Sequence, residues 1–169
     1  LLAHQLSLRL LRQETDKDAA WSLPRKSDLS ERCLASLPFQ LTGAQQRVWA
    51  EIAQDLERPH PMMRLVQGDV GSGKTVVAAL AAVRAVEHGA QAAVMAPTEL
   101  LAEQHARNFN AWLEPLGVRV ALLTGRQIGK VRAALETDLA SGAIQVAVGT
   151  HALFQEDIAF QRLVLAIVD

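Results

Sequence analysis

From Met63 onward the sequence alternates between short apolar runs and helical segments, and this alternation limits the possible folds more than any other feature. The runs are MRLVQ, QAAVMAP, VRVALLTG, IQVAVGTH and LVLAIVD. Helical patterns lie between them at about 73–88, 98–112 and 129–140, followed by Gly89, Gly117 and Gly142 as stops. Strands that are apolar at nearly every position need cover on both faces, and helical crossovers between them require parallel pairing. The expected fold is α/β, a mostly parallel β-sheet with helices on both faces and right-handed crossovers. Upstream, Thr42 is the expected N-cap of a helix that ends before Pro59, and Asp28 is the expected cap of a short helix through Leu34. Glu14 to Ser30 reads as a linker. Ahead of it, Leu1, Leu2, Leu6, Leu8, Leu10 and Leu11 form a helical stripe with Arg9 and Arg12 off it.

The first turn of one predicted helix carries chemistry. Gly68-Asp69-Val70-Gly71-Ser72-Gly73-Lys74-Thr75 fits the pattern G-x-x-x-x-G-K-[ST] between a predicted strand and a predicted helix, the setting a phosphate loop requires. Glycines let the backbone approach a ligand with no side chain between, and successive N–H groups then form an anion nest at the helix N-terminus. In such a loop Lys74 reaches the β and γ phosphates and the Thr75 hydroxyl ligates Mg²⁺. Ala78 and Ala79 permit close helix–sheet packing. The ligand is a nucleoside triphosphate; the loop alone does not say which reaction follows. A metal-side carboxylate is expected at the end of a buried strand, and Asp169 closes LVLAIVD. The other reading of Asp169 is the start of an ordinary turn.

Composition narrows the remaining classes. The chain has 169 residues, enough for one domain or slightly more, and half of them are apolar. With 17 basic and 18 acidic residues it is not a globally basic nucleic-acid coat protein, although a local basic strip remains open. Arg119, Arg126, Lys130 and Arg132 make such a strip, with no acid before Glu136; it is either a phosphate track or a solvated face. Cys33 has no partner for an internal disulfide, which points to a reducing compartment and a buried structural thiol. The five histidines show no paired metal spacing, and His105 is expected to bond locally. Trp21, Trp49 and Trp112 are expected to be packing anchors. No apolar run reaches the roughly 18 residues of a membrane span, so no membrane partner is expected. The first residue is not Met, and the ends fall within a helix and after a strand, so the chain reads as part of a longer one.

These blocks together resemble the RecG family of ATP-dependent DNA helicases, within the superfamily-two DNA translocases. LPFQLTGAQ is similar to the family's lead-in and glutamine motif, and MMRLVQGDVGSGKTVVAALAA to its phosphate loop. MAPTELLAEQHARNF is similar to the next helicase motif, and GTHALFQEDIAF with LVLAIVD to the approach to the acidic box. The transcription–repair coupling translocase is the related alternative. Its loop usually has an aromatic residue where this chain has Ser72, and an acidic one where it has Val76. An unrelated P-loop phosphotransferase is the alternative outside the family, but the chain has no Arg-rich lid segment.

The resemblance implies a RecA-like P-loop lobe over residues 37–169, stopping at the acidic box, preceded by a helix and linker over residues 1–36. It implies ATP and Mg²⁺ as cofactors and branched double-stranded DNA as partner. A second RecA-like lobe and a wedge domain of the longer chain are implied too, in the bacterial cytoplasm at the nucleoid. The lobe alone is expected to bind nucleotide without full ATPase or helicase activity. Gln45 is implied to read the adenine edge; from its sequence setting alone it is equally a helix-surface glutamine. Phe39 either packs on the base or anchors the lead-in. Thr98, Thr124 and Thr150 sit at strand ends, where a fold of this class binds ligands. Each has a structural reading as a cap or turn residue and a family-implied reading as a DNA-phosphate contact, with Arg126 beside them.

Overall fold

The computed structural model describes residues 19–169 apart from Val70 and Glu156. The amino-terminal stripe of leucines lies outside these residues. The described elements are α1 (Leu29–Ser36), α2 (Gly43–Leu56), α3 (Lys74–Glu87), β1 (Gln91–Met95), α4 (Glu99–Leu113), β2 (Val120–Leu123), α5 (Gly129–Ala140), β3 (Val146–Gly149) and β4 (Leu163–Val168). Short 3₁₀ turns occupy Glu114–Leu116 and His151–Phe154.

The four strands are all parallel, in the order β2-β3-β1-β4. Because successive side chains in a strand point to opposite faces, the register separates two cores. Ala92 pairs with Val146, which pairs with Val120; Val94 pairs with Val148, which pairs with Leu122. Those residues face a cluster built with Val76, Leu80, Val83 and Phe109 of α3 and α4. Ala121, Leu123 and Ala147 face the other way and pack with Leu139 of α5, Ile144 and Leu153. The expected helices on both faces are therefore present. Gly149 permits this closeness: a Cβ there would run into the Leu123 carbonyl oxygen and lie 3.0 Å from Leu153 Cγ.

The helix boundaries follow their local signals. Gly89, Gly117 and Gly142 all take positive φ after their helices or the 3₁₀ turn. Thr42 and Gln45 form a reciprocal capping box at the start of α2. Asp28 stands at the N-cap of α1 but makes no capping bond, and α1 continues to Ser36 rather than ending at Leu34. The acceptor comes from elsewhere. Glu87, on α3, takes hydrogen bonds from Ser30 N–H at 2.9 Å and Ser30 Oγ–H at 2.8 Å. Its carboxylate is fully buried, and it fixes α1 to the far end of α3. His88 reaches Pro24 O at 2.7 Å, securing the strap that precedes α1.

Two expectations are corrected. MRLVQ is not a strand: residues 61–69 carry no regular structure, and Met63 and Leu65 are 61% and 76% exposed. No neighbouring strand among the described residues supplies ladder partners, so apolar content alone does not make it one. β4 is apolar throughout and lies at one edge of the sheet, yet only Leu165 of it is buried. Trp21 also departs from its anchoring role. It is exposed, and the Arg162 guanidinium lies over its ring at 4.1 Å. Trp49 and Trp112 pack against the larger core, and Phe39 meets Trp112 edge-on. Cys33 is fully buried, and burial pushes its thiol up to about 11.

Candidate nucleotide site and nucleic-acid edge

The loop from Gly68 to Gly73 turns into α3 as its glycines predict. Gly71 and Gly73 have φ of 81° and 78°, conformations that a side chain disfavours. A Cβ on Gly68 would sit 2.6 Å from Ser72 Oγ, so the Ser72 hydroxyl would have to turn away. Ser72 N–H donates to Asp69 O at 3.1 Å and closes the turn. Gly73 caps α3 without a side chain. Val70 lies outside the described residues.

Two polar side chains converge on this loop. Lys74 Nζ donates to Gly68 O at 2.7 Å and to Asp69 O at 3.0 Å, so the ammonium is folded over the loop's own carbonyls. The Gln45 Oε1 accepts from Thr42 N–H at 2.8 Å, and its Nε2 donates to Ser72 O at 2.8 Å. Gln45 thus joins the cap of α2 to the loop, and a Cβ on Gly73 would strike that amide. Sequence reading assigned Gln45 only a ligand or a surface role. The capping box T-x-x-Q was the signal that its carbonyl oxygen has a local bond.

Asp169 continues β4 at the sheet's carboxyl edge, its N–H bonded to Met95 O at 2.9 Å. Its Oδ2 lies 2.7 Å from His105 Nε2 on α4. Asp169, His105, Lys74 and Thr75 line one cavity of about 220 Å³, whose remaining wall includes Val94 and Phe109. Among the described residues no group of three or more His, Cys, Asp and Glu side chains could hold a metal by itself. The available donors, one hydroxyl and one carboxylate beside a phosphate loop, suit a hard cation that keeps water and takes phosphate oxygens as its other ligands. The residues therefore fit Mg²⁺ with a nucleoside triphosphate.

The candidate DNA residues divide by accessibility. Thr98 is exposed and caps α4, its Oγ accepting from Leu101 N–H at 3.3 Å. Thr124 and Thr150 are buried, each 4% exposed, and the Thr150 hydroxyl has no hydrogen-bond partner among the described residues. Arg126 is exposed and paired with Glu99 at 2.6 Å and Glu103 at 3.8 Å. The basic strip is thus largely matched by acids distant in sequence. Arg119 pairs with Asp138, and Arg132 with Glu136 and Asp157. Lys130 is exposed.

The match to known proteins begins within this geometry. The DEAD/DEAH box helicase family model covers residues 42–169, which includes α2, the phosphate loop, the whole sheet and Asp169. The chain belongs to the DEAD/DEAH box helicases. Among curated relatives of this helicase lobe, the ATP-dependent DNA helicase RecG of Escherichia coli O157:H7 is 57% identical over the entire chain. RecG of Haemophilus influenzae is 54% identical, again over the entire chain. RecG of Aquifex aeolicus is 44% identical over the same extent. A solved structure of RecG bound to a three-way DNA junction superposes with a TM-score of 0.88 at 42% identity over 96% of the chain. The resemblance to RecG thus runs through the whole sequence. The chain spans 24% of the length of the Escherichia coli and Haemophilus relatives and 22% of the junction-bound chain. No helix among the described residues is long and apolar enough to cross a membrane.

Proposed function

We propose that this chain is the ATP-binding first motor lobe of a DNA translocase that remodels branched DNA in recombination and repair. The observation that carries the reading is the shared cavity of Lys74, Thr75 and Asp169 at the mouth of the phosphate loop. Residues 37–169 form the lobe, and residues 1–36 lead into it from the region before. The partners are branched double-stranded DNA, a second RecA-like lobe and a wedge domain of a longer chain, acting at the bacterial nucleoid. The junction-bound RecG structure supports this choice over the transcription–repair coupling translocase.

The chain's own groups would act as follows. Lys74 exchanges the Gly68 and Asp69 carbonyls for the β and γ phosphates, while the loop N–H groups from Gly68 to Thr75 cradle them. The Thr75 hydroxyl and the Asp169 carboxylate hold Mg²⁺, which when bound neutralises charge on the transferring phosphoryl group. Gln45 releases Ser72 O to present its amide to the adenine edge, so that base binding and loop conformation are linked. Thr98 presents the N-terminus of α4 to a DNA phosphate, and Arg126 joins it by giving up Glu99. Thr124 and Thr150 reach DNA only if the edge loops open. Hydrolysis needs further cationic groups on the phosphoryl oxygens, which the second lobe supplies. The 169-residue chain alone is therefore a nucleotide binder with little turnover.

Calorimetry with a non-hydrolysable Mg·ATP analogue tests the site. Lys74→Ala is expected to weaken binding at least a hundredfold, because the phosphates lose their cationic partner. Equal affinity in wild type and variant would remove the site assignment.

A further inference from the structure

His105 belongs neither to the phosphate loop nor to the candidate DNA edge, yet it touches the nucleotide site. Its Nε2 lies 2.7 Å from Asp169 Oδ2, with the imidazole 12% and the carboxylate 42% exposed. The other ring nitrogen, Nδ1, is buried with no hydrogen-bond partner among the described residues. An ionised carboxylate oxygen only accepts, so Nε2–H donates to Asp169 Oδ2.

Two anchors then define Asp169. The sheet fixes its backbone through Met95 O, and His105 fixes its carboxylate. The imidazole is itself mostly buried, as are Ala102, Ala106 and Phe109 near it on α4. Thr98 stands seven residues earlier, two helical turns along, at the end of α4 that meets the carboxyl edge of the sheet. The helix that presents Thr98 to that edge is therefore the helix that holds the Asp169 side chain.

We infer that His105 is a positioning residue that orients Asp169 toward the metal and couples the placement of α4 to metal binding. This rests on the reading of Asp169 as a metal ligand. Outer partners of metal-binding carboxylates fix their orientation, and their loss typically costs 10–100-fold in metal affinity.

The test uses the full-length protein that contains this chain. Mn²⁺ is titrated by electron paramagnetic resonance with a saturating non-hydrolysable ATP analogue, and analogue affinity in EDTA is measured alongside. His105→Met removes the donor at similar volume. It is expected to raise the half-saturating Mn²⁺ concentration tenfold or more, with affinity in EDTA unchanged. His105→Gln, whose amide N–H reaches the place of Nε2, is expected to restore most of the loss, whereas His105→Asn, one methylene shorter, is not. Asp169→Asn separates the two ideas. If it weakens Mn²⁺ binding while His105→Met titrates like wild type, the His105 role is overturned and the ligand stands. If neither variant changes the titration, the ligand reading fails and the inference fails with it. Should His105→Met not fold, equal titrations for His105→Asn and His105→Gln would overturn the inference.

Discussion

The centre of the sheet and its β4 side are both mostly apolar but have very different environments. In β1 and β3, Ala92, Val94, Val146 and Val148 are at most 2% exposed, with a paired strand on either side. In β4, LVLAIV leaves Val168 65% exposed, and in the adjoining stretch Leu65 is 76% exposed and forms no strand. Burial in a sheet comes from neighbours, above and beside, and apolarity only makes it favourable. The difference also separates roles. The centre is scaffold. The β4 side carries Asp169 and the cavity wall beside the phosphate loop, where the nucleotide site is proposed.

The comparison is most severely tested by truncation. Leu123→Ala, at a position with no exposure, is expected to cost about 2–5 kcal/mol through lost burial and a residual cavity. Urea unfolding measures it. A loss below about 1 kcal/mol would mean that the core packed against β2 repacks as freely as the exposed residues of β4. Next in size is Gly149→Ala. The added methyl meets the Leu123 carbonyl, so β2 and β3 must separate, at about 1–3 kcal/mol by the same assay. Unchanged stability would show that the strands have slack. Smaller again is a chemical difference: Cys33 is buried with its thiol raised to about 11, so at pH 8 only about one molecule in a thousand carries the thiolate. Thiol-reagent labelling of the native chain at pH 8 is expected to be far slower than in urea. Equal rates would place Cys33 outside the core. Smallest is Val168→Thr at the exposed edge, expected within about 0.5 kcal/mol of wild type. A larger loss would show that β4 is as buried as β1.

The candidate site was legible where its chemistry is local. The glycine spacing, Lys74 and Thr75 are readable because the loop is made from eight consecutive residues whose backbone conformation is their function. Thr42 is readable as a cap for the same reason, while the matching bond of Gln45 was not read. The pairing of the basic strip is not legible in the sequence, because much of its counter-charge comes from elsewhere in the chain: Glu99 and Glu103 on α4 and Asp157 beyond β3. The capping of α1 by Glu87 spans 57 residues, and no local signal at Asp28 announces it.

The sequence by itself determined the alternation of strand and helix, the helix stops at glycines, and the phosphate loop at the head of α3. Each depends on propensity, periodicity or a backbone conformation that neighbouring residues set within a few positions. Only the tertiary structure decided which apolar runs become strands, which face each residue covers and which carboxylate meets which base. It joined Gln45 to Ser72 and His105 to Asp169 across 27 and 64 residues. Hydrogen bonds and ion pairs act over a few ångströms, and the order of strands in the sheet sets which distant residues come that close.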